Sequence, residues 1–144
     1  KKSNLWLILG CLGLFSVVLV VVLTLTSGGT HLTCVHETEL YGMLEEDRIK
    51  IYYDDNDNPT KVVITMKTEV TEDSSFTVES LKEAYQTKVD DYEEKGAKVS
   101  MTSDEDVVTY TITIDEDDFS SFFDTMGSYD EMKQLYDKRG FTCN

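Results

Sequence analysis

The chain is poor in the residues that cross-link a fold, coordinate metals or catalyse acid–base chemistry. Its 144 residues include only three cysteines, two histidines and one proline. A Ser-His-Asp or Cys-His catalytic arrangement has only His31 and His36 to draw on, and no glycine-rich phosphate loop is present. We therefore predict a protein that is not an enzyme and needs no cofactor. An unrecognised envelope hydrolase that uses His36 is the last-ranked alternative.

Positive charge is scarce as well. Beyond residue 26 the chain carries all 28 acidic residues and 11 of the 13 basic ones, a net charge of −17. This charge excludes nucleic acid as a partner and disfavours docking on anionic lipid, because both would be repelled. Divalent metals, polyamines and basic proteins would be attracted. The simplest interpretation is a solvated surface that keeps the domain soluble.

One long stretch has no charge at all. The 21 residues from Leu5 to Leu25 are mostly apolar, long enough for a helix of roughly 30 Å, the thickness of a bilayer core. Lys1 and Lys2 precede it, which predicts a single-pass signal anchor with a cytoplasmic N-terminus and an extracellular C-terminal domain. We assign 1–26 to this segment, 27–31 to a tether and 32–144 to the exported domain. A cleaved signal peptide, with residues 1–29 removed and the protein secreted, is the alternative.

The cysteines suggest one disulfide. Cys11 lies inside the apolar stretch, whereas Cys34 and Cys143 lie near the two ends of the exported part. In an oxidising compartment these two can pair, and closing so long a loop would contribute roughly 4–5 kcal/mol in the chain-entropy model. Lipid attachment at Cys34 is disfavoured because Thr33 is not the small residue expected before a lipidated cysteine. A metal site in the H-x-x-C-x-H pattern of residues 31–36 would need a further ligand from elsewhere.

Hydrophobic periodicity in the exported part predicts an α+β domain. Alternation indicates strands, and apolar residues three or four apart from Val78 to Tyr92 indicate a helix. The predicted order is β-β-β-α-β-β-α-β, an antiparallel sheet with helices packed on one face. The elements are strands 32–40, 48–53 and 62–68, helix 77–96, strands 97–102 and 107–114, helix 130–139 and strand 141–143.

The acidic turn at residues 54–59 is the candidate cation site. An EF-hand is excluded, because a template begun at Asp54 places Pro59 where glycine is required and Thr65 where the bidentate glutamate is required. A weak surface calcium site formed by Asp54, Asp55 and Asp57 is an alternative to a solvated hairpin turn.

Residues 40–143 resemble the YehR-like family of small uncharacterised bacterial lipoproteins. The resemblance lies in the segments 61–66, 92–96 and 107–115, continuing into Phe119, and in the closing stretch from Met132 to Phe141. It implies an envelope-facing α+β domain of bacterial origin. This chain differs from the family in lacking a convincing lipobox, and the resemblance transfers no functional residues.

Together these features predict a membrane-anchored extracytoplasmic domain of the bacterial cell envelope. It would be non-enzymatic and bind a protein or an envelope component, and it would attach to the membrane through its N-terminal helix. Low-affinity divalent-cation binding, chiefly of calcium, is the first alternative function.

Overall fold

The computed structural model describes residues 30–144, which form one antiparallel sheet with helices against it. In chain order the elements are β1 His31–Leu40, β2 Met43–Tyr53, β3 Pro59–Val70, α1 Val78–Glu94, β4 Lys98–Ser103, β5 Val107–Asp115, a 3-10 helix Glu116–Ser121, α2 Tyr129–Lys138 and β6 Thr142–Cys143.

The six strands lie in the order β4-β5-β3-β2-β1-β6, and every pairing is antiparallel. Strands β1, β2 and β3 form two consecutive hairpins. The chain then passes through α1 and β4 before β5 pairs with β3. Two residues of β6 close the opposite edge against β1, where Cys143 pairs with Cys34.

The core lies between the sheet and the helices. Because side chains alternate along a strand, Leu32 and Cys34 of β1 point to the same face as Ile49 and Ile51 of β2. Their neighbours on β3 and β5, among them Val62 and the buried residues of β5, continue this layer. We call it the helix face, since α1 contributes Leu81, Tyr85 and Val89 to it, and α2 contributes Met132 and Tyr136.

Both helices begin at complete capping boxes. The hydroxyl of Thr77 accepts the Ser80 N–H, and the hydroxyl of Ser128 accepts the Glu131 N–H, with a reciprocal bond in each case. These bonds satisfy backbone donors that a helix N-terminus leaves unpaired, and they fix where α1 and α2 begin over the sheet.

The predicted fold class, a transmembrane helix followed by an α+β domain, is wrong. Residues 30–144 form a mostly antiparallel β-sheet with a few helices, and none of those helices is long and apolar enough to cross a membrane. Each of α1 and α2 has one apolar stripe and charged residues over the rest of its surface, as expected of a helix that packs on one side of a sheet. The segment predicted to span the membrane, 5–25, lies outside the described residues.

The beginnings of β1 and β2 also differ from those expected, and β3 extends beyond the predicted 62–68 at both ends. β1 begins at His31, inside the stretch assigned to a tether, and β2 begins at Met43, five residues before the predicted start at Arg48. The added residues of β2 include Glu45 and Asp47, two carboxyl groups on the helix face, and they interrupt the apolar alternation by which the strand was recognised.

Candidate binding sites on the sheet

Cys34 and Cys143 lie opposite each other on β1 and β6, at disulfide distance. Their sulfur atoms are 2.04 Å apart, their Cα atoms are 4.1 Å apart, and 109 positions separate them in sequence. Two backbone bonds flank the pair, from Thr33 N to Asn144 O and from Asn144 N to Thr33 O. Cys34 is therefore engaged with another cysteine and is no longer a free ligand for a metal.

The remaining members of the H-x-x-C-x-H pattern do not converge. His31 and His36 point to opposite faces of β1, because five positions separate them. The ring of His31 lies 6.1 Å from that of Tyr52, and the ring of His36 lies 5.1 Å from that of Phe141. Within residues 30–144 no group of three or more His, Cys, Asp or Glu side chains is arranged to hold a metal ion.

His36 borders a cavity of about 430 Å³ at the edge of the sheet. Val35, Glu37, Gly140 and Thr142 complete its lining. The threonine supplies the single side-chain hydroxyl among these described residues. A hydrolase based on His36 stays a prediction.

Two of the three carboxylates in the acidic turn accept hydrogen bonds that shape the surrounding structure. Asp54 accepts hydrogen bonds from the backbone N–H of Asn56 and of Asn58, at 2.8 and 2.9 Å, and these bonds lower the pKa of its carboxyl group. Asp57 accepts the Tyr129 N–H at 3.1 Å, at the beginning of α2. Asp55 is exposed. Calcium binding by these residues stays a prediction, and a cation there would compete with the bonds that shape the turn.

Two neighbouring carboxyl groups lie on the helix face of β2. Glu45 is 3 % exposed and accepts a bond from the Thr38 hydroxyl at 3.4 Å. Asp47, next on the same face, lies between His36 of β1 and Met66 of β3 in the strand register. Burial, together with the negative charge of Glu45, raises the pKa of Asp47 to about 8.

A shallow acidic cavity of about 410 Å³ lies near the β1–β2 turn, where β1, β2 and β3 run side by side. Its lining contains five carboxylates, one ammonium group, one hydroxyl and one exposed leucine: Glu37, Glu39, Glu45, Glu46, Glu69, Lys67, Thr38 and Leu44. We call it the acidic cavity.

The strand register brings the residues that line the acidic cavity together. Glu39, Leu44 and Glu69 are direct neighbours across three strands, as are Glu37, Glu46 and Lys67 one row further along. Sequence reasoning missed this site because its members come from three strands whose pairing it did not align. The sequence did contain one indication of the site: Glu37 and Glu39 lie two positions apart on β1, so their carboxylates share one face of the sheet.

Fold and sites together define a small acidic domain in which a single β-sheet carries helices on one face and a cysteine pair at one edge. No family model, curated protein or solved structure matches the chain. The resemblance to the YehR-like family accordingly stays a prediction.

Proposed function

We propose that residues 30–144 are a non-enzymatic, extracytoplasmic binding domain of a bacterial cell envelope. We further propose that the acidic cavity takes a cationic group of a protein or envelope partner. Three carboxylates that form no salt bridge within residues 30–144, those of Glu37, Glu39 and Glu69, line one concave surface that contains a single ammonium group, and this excess of negative charge supports the proposal.

The cavity suits a lysine or arginine side chain in both size and chemistry. Ligand pockets in proteins range from about 300 to 1,000 Å³, and this one lies within that range. Leu44 is 43 % exposed at the cavity, so the aliphatic stem of a basic side chain would have an apolar surface to cover. The carboxylates around it would accept the charged end.

The paired cysteines support export. Disulfides persist in oxidising compartments and are rare in a reduced cytosol. The Cys34–Cys143 pair joins the first and last strands of the domain, so an oxidising environment would stabilise the whole sheet and not a single loop.

Titration calorimetry of the 144-residue chain with a tetra-arginine peptide tests the proposal. Replacing Glu37, Glu39 and Glu69 together by glutamine should weaken binding about tenfold, since each exposed charge contributes roughly 0.2–1 kcal/mol. Added salt should weaken binding to the unmodified protein and have less effect on the variant.

The matched control replaces Glu83, Glu93 and Glu94, three exposed carboxylates of α1, by glutamine. Both variants change the net charge equally. Unchanged affinity in the control would assign the binding to the cavity. An equal loss in both variants would show that the peptide responds only to the overall charge, and the proposal would be wrong.

A further inference from the structure

Two lysines and a tyrosine form a compact cluster on the sheet face opposite the helix face. Lys50 and Tyr52 are two positions apart on β2, and Lys61 lies directly opposite Tyr52 on β3. The Nζ atoms of Lys50 and Lys61 lie 5.3 and 4.7 Å from the centroid of the Tyr52 ring. Both ammonium groups therefore lie close to one aromatic side chain, at cation–π distance.

Neither ammonium group forms a salt bridge within residues 30–144. The carboxylates on this face that could pair with them are already engaged: Asp115, opposite Lys61, binds Lys98 at 2.7 Å, and Glu46, four residues before Lys50 on β2, binds Arg48 at 3.0 Å. Lys50 is only 5 % exposed, and burial together with the positive charge of Arg48 lowers the pKa of its ammonium group. A buried cation is costly unless an anion accompanies it.

The buried hydroxyl of Tyr52 is a third polar group in this cluster. Its side chain is 3 % exposed, and its oxygen atom has no hydrogen-bond partner among the described residues. Buried hydroxyl groups are normally bonded, so this one is a donor that a ligand could use. Lysine ammonium groups only donate hydrogen bonds, and the phenolic O–H can donate as well.

We propose that Lys50, Lys61 and the hydroxyl of Tyr52 bind a phosphate monoester or inorganic phosphate on this face of the sheet. A phosphate dianion matches two cations in charge and offers several acceptor oxygens to the three donors. A carboxylate would neutralise only one of the lysines. Lys61 is partly exposed and gives the anion its route from solvent.

The acidic net charge of the domain does not prevent phosphate from binding at this cluster. At physiological ionic strength charges beyond roughly 8 Å are largely screened, so the two ammonium groups dominate the local potential. This inference is independent of the acidic cavity, which lies toward the other end of β2 and would take a cation.

Thermal unfolding and calorimetry of the 144-residue chain with inorganic phosphate at pH 8 test the proposal. Phosphate should raise the melting temperature, and Lys61→Gln should weaken its binding about tenfold. Tyr52→Phe keeps the ring and removes only the hydroxyl, and it should also weaken binding about tenfold, the usual effect of losing a hydrogen bond to a charged group.

Lys82→Gln, on the exposed surface of α1, is the matched control and should leave phosphate affinity unchanged. Glycerol 3-phosphate distinguishes the sources: tighter binding than that of inorganic phosphate assigns an ester as the ligand, binding of inorganic phosphate alone assigns the free ion, and equal binding shows that the site recognises the phosphate group in either. The proposal is overturned if phosphate gives no thermal shift, if acetate binds equally well, or if Lys61→Gln and Lys82→Gln bind phosphate alike.

Discussion

Asp47 places a second carboxyl group, beside that of Glu45, on the largely apolar helix face of the sheet. Its raised pKa, about 8, means that the folded protein holds a proton there that the unfolded chain releases near pH 4. Between these two pH values the native state binds more protons than the unfolded state. Stability attributable to this proton is therefore fully present below about pH 4 and is lost as the pH rises through 8.

We expect Asp47→Asn to remove this pH dependence. Asparagine keeps the shape and polarity of the side chain and cannot ionise. Because Asp47 is only partly buried, the variant should be more stable than the unmodified protein by about 1–3 kcal/mol at pH 8, with little difference at pH 4. Urea unfolding at both pH values measures the change. Asp55→Asn, in the exposed turn, is the control, and an equal gain there would refute the assignment to Asp47.

At the scale of elements, a buried hydrogen bond joins α1 to β3 in the middle of the sheet. The hydroxyls of Tyr85 and of Thr68 on β3 are 2.6 Å apart, and both side chains are almost fully buried. The Tyr85 ring also stacks on Tyr110 of β5 at 5.6 Å. This helix is thus positioned over the sheet by a polar contact as well as by its apolar stripe.

Tyr85→Phe should lower the free energy of unfolding by about 1–3 kcal/mol, because it leaves the buried Thr68 hydroxyl without this partner. Thr68→Val should cost a similar amount. The double variant should cost clearly less than the two single changes added together, since the bond can be lost only once. Chemical denaturation of the four proteins gives the coupling, and strict additivity would show that the bond contributes nothing.

Some elements could be predicted from the sequence more completely than others. The spacing of Leu81, Tyr85 and Val89 predicted the apolar side of α1, because a helix with one buried side has a simple period. The beginning of β2 was missed, since Glu45 and Asp47 occupy positions where apolar residues are expected. The sequence did not predict either candidate site, because both depend on the register of the strands. Lys61 lies opposite Tyr52 only when β2 and β3 pair. Glu39 and Glu69 lie on either side of Leu44 only when β1, β2 and β3 pair.

At the scale of the whole molecule, the Cys34–Cys143 pair connects the two ends of the domain. A loop of 109 positions is among the longest that one bond can close in a chain of this size. In the chain-entropy model such a closure disfavours the unfolded state by roughly 4–5 kcal/mol. For a domain with a total stability of about 5–15 kcal/mol, this is a large part.

We therefore expect the double variant Cys34→Ala, Cys143→Ala to lose about 3–5 kcal/mol of unfolding free energy. Reductant should destabilise the unmodified protein by a similar amount and leave the double variant unaffected. Intact mass should rise by about two hydrogen masses when the unmodified protein is reduced. Free thiols at both positions before reduction would contradict the pairing.

The same pair determines how the domain would respond to a mechanical load. Thr33 and Asn144 exchange two backbone hydrogen bonds beside the sulfur atoms, so the chain enters and leaves the domain at one point. Tension between residues 30 and 144 would run through the covalent sulfur bridge and bypass the hairpins and helices between them. Pulled by these ends in an oxidising medium, the domain should keep its folded length until the bridge is reduced, and then extend.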